Sequence, residues 1–255
     1  MREDFFTEYF SDTSLHFFME VFLFMKNKNA VAIRKMTIIA LFTALAYAAT
    51  MIFRINVSFL TFDAKDAFVC IASLILGPGA GAVVTLVVAT IEQLTVGDTG
   101  IWGYIMNVFS TGTYCMVAGY IYSKRRSISG VALALSSAVV ATVTVMILCN
   151  ILIVPLYMEG ADVKMVIQIL PTLLLPFNLT KTLLNSGIVL AIYKPLITAL
   201  RSAKLLPKRE GEAGNEAKKY WSVTTLIVLL VTVVIISASI LYLIFGLGGR
   251  IQFSK

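Results

Sequence analysis

Long stretches without any charged side chain restrict the fold of this sequence more than any other feature. Four stretches carry no charge at all: residues 67–91, 99–123, 127–158 and 220–249. About 20 apolar residues, rising 1.5 Å each in a helix, are enough to cross the hydrocarbon core of a bilayer. Only 14% of the 255 residues are charged, whereas soluble domains carry about 25%. The sequence therefore predicts a protein whose solvent is largely lipid.

The membrane-crossing segments are predicted to be helices rather than strands. Lipid offers the backbone no hydrogen-bond partner, so a span must be a helix or part of a closed barrel. Barrel strands alternate polar and apolar residues over about ten positions, and segments such as residues 225–232 (TLIVLLVT) do not alternate. The predicted fold class is all-α, a polytopic membrane helix bundle.

Turn residues and charges divide the chain into four parts. Residues 1–32 are predicted to be an N-terminal extension, amphipathic or disordered, and residues 33–200 a six-helix membrane domain. Residues 201–219 are a predicted cytoplasmic linker, because nine of these 19 residues are charged. Residues 220–255 are predicted to hold an additional C-terminal transmembrane helix and a short tail. The predicted spans lie at about 33–53, 66–77, 79–96, 102–122, 129–154, 167–198 and 221–247.

The distribution of basic residues predicts how the helices are oriented. With the N-terminus inside, fifteen of the 21 Lys and Arg residues fall on the cytoplasmic side, five fall outside, and Lys181 lies within a span. An excess of basic residues in cytoplasmic loops is the usual orientation signal. We therefore expect a multi-pass protein of the bacterial cell membrane, with a cytoplasmic N-terminus and an extracellular C-terminus. The net charge of +7 then needs no nucleic-acid partner.

Lys181 is the most informative single residue. It lies in an apolar run with no acidic residue within a helical turn, and an ammonium group at membrane depth costs a few kcal/mol. Asn178, Lys181 and Asn185 share one helix face because they are spaced i, i+3 and i+7. A cavity, a partner or a ligand would explain the retained charge. The alternative is that Lys181 extends to the outer interface while the two amides hold helices together.

Further polar residues are predicted near the same outer level of the bundle. Asn150, near the end of the fifth span, can face Asn178, either to bind a ligand or to join two helices. Asp66 is expected to cap the second span, which leaves Thr61 and Asp63 to line the mouth of a cavity. Glu92 and Asn107 could add polar lining or connect helices.

Several kinds of chemistry are not supported by the sequence. It contains no HExxH, GxSxG or Walker A motif, and its only histidine is His16. Cys70, Cys115 and Cys149 have no CxxC spacing and are expected to be buried apolar residues. We therefore predict neither an enzyme nor a metal site, and no resident cofactor. Without a nucleotide-binding loop the chain cannot drive transport alone.

Four motifs, in this order, resemble the riboflavin-specific S components of energy-coupling factor (ECF) importers. They are the outer-loop segment Phe62-Asp63-Ala64-Lys65-Asp66, the turn Gly77-Pro78-Gly79-Ala80-Gly81, the segment from Asn150 to Pro155, and Leu175-Pro176-Phe177-Asn178-Leu179-Thr180-Lys181. The resemblance covers about residues 33–200. The Gly-Pro turn is common to S components for several vitamins, whereas the asparagine and Asn-x-x-Lys elements together are more specific for flavins.

The resemblance implies a six-helix bundle that captures riboflavin, or FMN, from outside. It implies partners, namely a transmembrane coupling subunit and two ABC-type ATPase subunits. Ala40, Ala44 and Ala48 match the helix face that docks on the coupling subunit, and such small-residue spacing lets helices approach closely. The polar flavin contacts match Asn150, Asn178 and Lys181, and the loop that covers the flavin matches Thr61 to Asp63.

The flat faces of a flavin need apolar or aromatic walls. Phe62, Trp102 and Phe177 are candidates for these walls, although each could simply pack in the core. Two alternatives stay open from the sequence. One is an S component for another vitamin or precursor, and the other is a membrane enzyme, sensor or scaffold without transport.

Overall fold

The structure, a computed structural model, describes residues 31–52, 54–97, 100–125, 128–158, 160, 162–206, 234, 236–248 and 250–252. The predicted extension at residues 1–32 therefore lies almost wholly outside the described residues. Most of the linker at 201–219 and the first part of the segment 220–255 also lie outside them. The chain divides into two units, residues 1–38 and residues 39–255. In the first unit, the described residues form the start of helix α1 (Val31–Ile52).

The second unit contains the rest of α1 and a series of helices that follow the predicted spans. They are α2 (Lys65–Leu76), α3 (Pro78–Thr95), α4 (Gly100–Lys124), α5 (Ile128–Tyr157), α6 (Val163–Ile169), α7 (Leu175–Ser202) and α8 (Ile236–Gly246). A π-helical turn, Leu170–Leu174, joins α6 to α7 without a break. The predicted all-α membrane bundle is confirmed.

Among the described residues, four helices are long and apolar enough to cross a membrane by length and composition: Val31–Ile52, Pro78–Thr95, Gly130–Tyr157 and Val163–Ser202. Helix α2 has only 12 residues, or about 18 Å of rise, so it is much shorter than a full span. Pro155 was expected to stop the fifth span, but α5 continues past it to Tyr157.

The turn between α2 and α3 forms where the Gly-Pro sequence predicts it. Gly77 has a φ of +95°, a conformation that side chains with a Cβ disfavour, and Pro78 begins α3, where its missing N–H costs nothing. Close packing of α2, α3 and α4 also depends on glycine. A Cβ atom at Gly81 or Gly119 would lie 2.6 Å or 2.0 Å from atoms of Ser73.

The outer loop that follows α1 forms a β-hairpin. Strands β1 (Arg54–Val57) and β2 (Leu60–Asp63) are antiparallel, with Ile55 opposite Phe62. A third strand, β3 (Arg250–Gln252), pairs with the other edge of β1 and gives the order β2-β1-β3. The C-terminal part of the chain is thus joined to the loop that follows α1.

Candidate functional site

A cavity of about 150 Å³ lies where the hairpin meets the helices. Its polar lining comes from two directions, which we call the hairpin side (β1, β2 and the adjoining parts of α2, α3 and α4) and the helix side (α5 and α7). Six predicted site residues line it: Thr61, Asp63, Glu92, Asn107, Asn178 and Lys181. It also has apolar and aromatic lining, including Phe59, Met106, Met146, Tyr157 and Phe177.

The hairpin side is built around Lys65, at the start of α2. The lysine is 2% exposed, and its Nζ donates to Asp63 Oδ2 at 3.1 Å and to Glu92 Oε2. A buried ammonium is tolerated only when carboxylates or other acceptors surround it. Here one cation joins the end of β2 to the end of α3.

Asp63 has a second role at the start of α2. Its Oδ1 accepts a hydrogen bond from the backbone N–H of Lys65 at 3.2 Å. Burial raises the pKa of Asp63, but the charges of Lys65 and Lys181 lower it, and the result lies below the ordinary value of 3.8. The carboxylate is therefore ionised at neutral pH.

Glu92 connects three elements through its carboxylate. Besides Lys65, it accepts a hydrogen bond from Asn107 Nδ2 at 2.8 Å, and Arg54 Nη2 lies 3.6 Å from its Oε1. Arg54 belongs to β1 and Asn107 to α4. The hairpin side is thus a network in which Lys65 has close protein partners, whereas Arg54 lies further from Glu92 and its buried Nε has no hydrogen-bond partner among the described residues.

Lys181, on α7, has a different environment. It is 7% exposed and lines the cavity, so it does not extend away from the bundle. Its Nζ lies 3.5 Å from Asp66 Oδ2, beyond the usual 2.7–3.2 Å of a hydrogen bond from nitrogen to oxygen. Thr111 donates to Oδ1 of the same aspartate at 2.6 Å. Lys181 therefore has a neutralising charge nearby and donor capacity directed at the cavity.

The expectation that Asp66 caps α2 is wrong. Ala64 occupies the N-cap position with no side-chain cap bond, and Asp66 lies in the first turn. The carboxylate instead accepts from Thr111 and faces Lys181. The N-terminal backbone of α2 is satisfied by Asp63 and by Asn185, whose Oδ1 accepts from the N–H of Ala67 at 3.0 Å.

The three asparagines considered from the sequence have separate surroundings. Asn178 lines the cavity and donates to Leu174 O at 2.8 Å. Asn185 lies outside the cavity lining and donates to backbone carbonyls of Asp63 and Lys181. Asn150 is fully buried on α5 and donates to the carbonyl of Met146 at 2.6 Å. Its Oδ1 has no hydrogen-bond partner among the described residues.

Two predicted aromatic walls do not line the cavity. Phe62 is fully buried in a core cluster with Ile55, Val57, Phe177 and Leu184, because on β2 it points to the packed face of the hairpin. Trp102, near the start of α4, is half-buried and is absent from the lining. Phe177 both lines the cavity and belongs to the core cluster.

Lys65, Arg54 and Asp66 were not predicted from the sequence to belong to the site. Lys65 lies between two aspartates in the segment Asp63-Ala64-Lys65-Asp66, and this dense alternation of charge beside an apolar span was the available signal. Its contact with Glu92 joins residues 27 positions apart, and no local pattern reports that distance.

The predicted docking face on α1 is accessible in the second unit. Ala40, Ala44 and Ala48 are exposed, whereas Phe42 and Ala46, about half a helical turn away, are fully buried. The two sets therefore lie on opposite faces of one helix.

Comparisons with known proteins agree with this architecture. A family model described as "ECF transporter, substrate-specific component" matches residues 34–193. A solved structure described as "Structure and mechanism of the S component of a bacterial ECF transporter" is 26% identical, with a TM-score of 0.55. The match covers 66% of this chain and 97% of that chain. No match was found among the curated proteins.

The chain is therefore a membrane-embedded transport subunit rather than an enzyme. It belongs to the family of substrate-specific components, or S components, of ECF transporters. Members of this family bind a vitamin-type substrate and work with a coupling module and ATPases.

Proposed function

We propose that the cargo of this S component is riboflavin, with FMN as the nearest variant. The observation that carries this proposal is the pairing of Lys181 and Asn178 on one wall of the cavity, both buried and both lining it. Carbonyl oxygens and an N–H lie along one edge of the flavin ring, and an ammonium and an amide complement them.

Asn150 adds a third polar group to the proposal. Its buried Oδ1 lacks a partner among the described residues, and such an orphan acceptor costs about 1–3 kcal/mol. It lies one helical turn beyond Met146, which lines the cavity. A ring N–H from the cargo would satisfy this oxygen after a small adjustment of the wall.

The rest of the lining also suits a flavin. Phe59, Tyr157 and Phe177 supply aromatic surface for the ring faces. On the hairpin side, Thr61, Asp63 and Glu92 offer acceptors for the hydroxyls of the side chain. Because the ion pairs of the cavity balance one another, an uncharged cargo is favoured, and riboflavin should bind more tightly than FMN.

The cavity must widen to admit this cargo. Its volume of about 150 Å³ is below the range of about 300–1,000 Å³ that ligand pockets occupy. We infer that the hairpin, which supplies Thr61 as the resemblance implies for a covering loop, moves outward when the flavin enters. Ala40, Ala44 and Ala48 would then present α1 to the coupling subunit, which two ATPases energise. The N-terminus lies inside and the C-terminus outside in this proposal.

Fluorescence titration tests the cargo directly. Purified protein freed of ligand should quench riboflavin fluorescence with a submicromolar Kd, and Lys181→Met should weaken binding at least tenfold. Exposed Lys164 on α6 provides the matched control, since Lys164→Met should bind as the wild type does. Absence of quenching at micromolar riboflavin would refute the proposal.

The small volume favours one competing candidate, a more compact vitamin or precursor. A thermal-shift panel of vitamins separates the two. Riboflavin should give the largest rise in unfolding temperature, and a larger rise with a smaller polar vitamin would replace flavin as the cargo.

A further inference from the structure

The C-terminal part of the chain makes contacts that the family match does not include. We define the C-terminal strap as α8, Leu247 and β3. It follows the matched residues 34–193, and about a third of this chain has no counterpart in the solved S component, which is itself matched over 97% of its length.

The first contact of the strap is through the backbone. Strand β3 pairs with β1, placing Ile251 opposite Ile55 and Gln252 opposite Arg54. The side chain of Arg54 lines the cavity and lies 3.6 Å from Glu92. On the other edge of β1 is β2, which carries Thr61 and Asp63 of the cavity lining.

The second contact is apolar. Ile236, Ile240 and Leu247 pack against the core cluster that contains Ile55, Val57, Phe62, Phe177 and Leu184. The first three members of that cluster come from the hairpin. The strap therefore holds both the edge and the packed face of the loop that closes the cavity.

We propose that the C-terminal strap is a positioning element of the substrate site, which holds the hairpin closed and sets how fast cargo enters and leaves. A hairpin of two four-residue strands is marginally stable alone, and a third strand with apolar packing stabilises it. The part concerning cargo rests on the proposed function. The part concerning the hairpin does not.

Hydrogen–deuterium exchange of residues 54–63 in the full-length protein tests the strap without any cargo. Ile240→Ala should raise the exchange rate of these amides at least fivefold, because Ile240 packs on the cluster. Leu241→Ala is the matched control, since Leu241 is 54% exposed, and exchange there should stay at the wild-type rate. Unchanged exchange in Ile240→Ala would overturn the proposal.

A pair of proline substitutions tests the strand contact independently of α8. Neighbouring residues of a strand direct their N–H groups to opposite sides, so only one of Ile251→Pro and Gln252→Pro removes a bond to β1. The variant that loses this bond should raise the exchange rate of the amides of residues 54–63 at least fivefold. The other variant should exchange at the wild-type rate. Equal rates in the two variants would overturn the proposal.

Riboflavin dissociation in the same variants separates this inference from the proposed function. If the wild type binds riboflavin, the variants that loosen the hairpin should release it at least fivefold faster, and an unchanged release rate would overturn the strap's role. If the wild type binds no riboflavin while the hairpin loosens as expected, the cargo assignment fails and the positioning role of the strap is supported.

Discussion

Each side of the cavity contains a buried lysine, and the two lysines differ in how closely carboxylates surround them. Lys65 on the hairpin side is held by two carboxylates, one at 3.1 Å. Lys181 on the helix side has one carboxylate at 3.5 Å. Removing a charge that has close protein partners leaves those partners buried and uncompensated, whereas a charge with spare donors can bind a ligand. The difference supports our proposal that Lys181 on the helix side contacts the cargo, and it predicts that Lys65 on the hairpin side mainly stabilises the fold.

Removing the charge of Lys65 should have the largest effect on stability. Lys65→Met leaves Asp63 and Glu92 without their shared cation, and breaking a buried ion pair costs about 3–5 kcal/mol. The unfolding temperature in detergent should fall by about 6–20 °C. Lys164→Met, on the exposed surface of α6, should keep the unfolding temperature within a degree or two of the wild-type value. A fall of only a few degrees in the unfolding temperature of Lys65→Met would show that Lys65 does not stabilise the fold.

The charge of Lys181 should matter more for cargo than for stability. Lys181→Met should weaken riboflavin binding at least tenfold, which corresponds to about 1.4 kcal/mol. It should lower the unfolding temperature by less than Lys65→Met does. The double variant Lys181→Met/Asp66→Asn removes the remaining uncompensated carboxylate and should recover stability without recovering binding. Recovered binding in the double variant would assign Lys181 a structural role only.

Two asparagines on α7, two helical turns apart, sharpen the comparison further. Asn178→Ala should weaken riboflavin binding about fivefold, since Asn178 lines the cavity. Asn185→Ala should instead cost about 1 kcal/mol of stability, because Asn185 secures the backbone of Asp63 and Ala67, and should change affinity less than threefold. Titration and thermal unfolding of both variants measure the contrast. Equal affinity losses would contradict it.

The smallest expected effect concerns Asn150. Asn150→Leu removes an orphan buried acceptor, so stability should stay the same or rise by about 1 kcal/mol. Affinity for riboflavin should fall by about threefold if this oxygen accepts from the ring. Thermal unfolding with and without riboflavin separates the two effects, and unchanged affinity would remove Asn150 from the site.

The helices could be predicted because lipid imposes a simple requirement on composition. Apolar runs located the spans, and Gly77-Pro78 located the turn between α2 and α3 with its positive φ. Lys181 could be singled out for the same reason, because a charged side chain within an apolar run needs a cavity, a partner or a ligand. These features depend on residues close together in sequence.

Features formed by distant residues could not be predicted. Glu92 meets Lys65 only after α2 and α3 fold back on each other. Asp66, predicted to cap α2, instead contacts Thr111 of α4 and Lys181 of α7, which are both distant in sequence. The strand Arg250–Gln252 has three residues, too few for a recognisable alternation. The hairpin could have been predicted from the sequence, because Arg54-Ile55-Asn56-Val57 alternates polar and apolar residues.

The pairing of β1 with β3 also affects how the protein is made. Arg54 leaves the ribosome about 200 residues before Gln252, and synthesis at about 5–20 residues per second separates them by roughly 10–40 s. During that interval the nascent bundle exposes an unpaired strand edge outside its helices. Completion of the three-stranded sheet is therefore a late step of biogenesis, because it must wait until the residues of β3 have been synthesised.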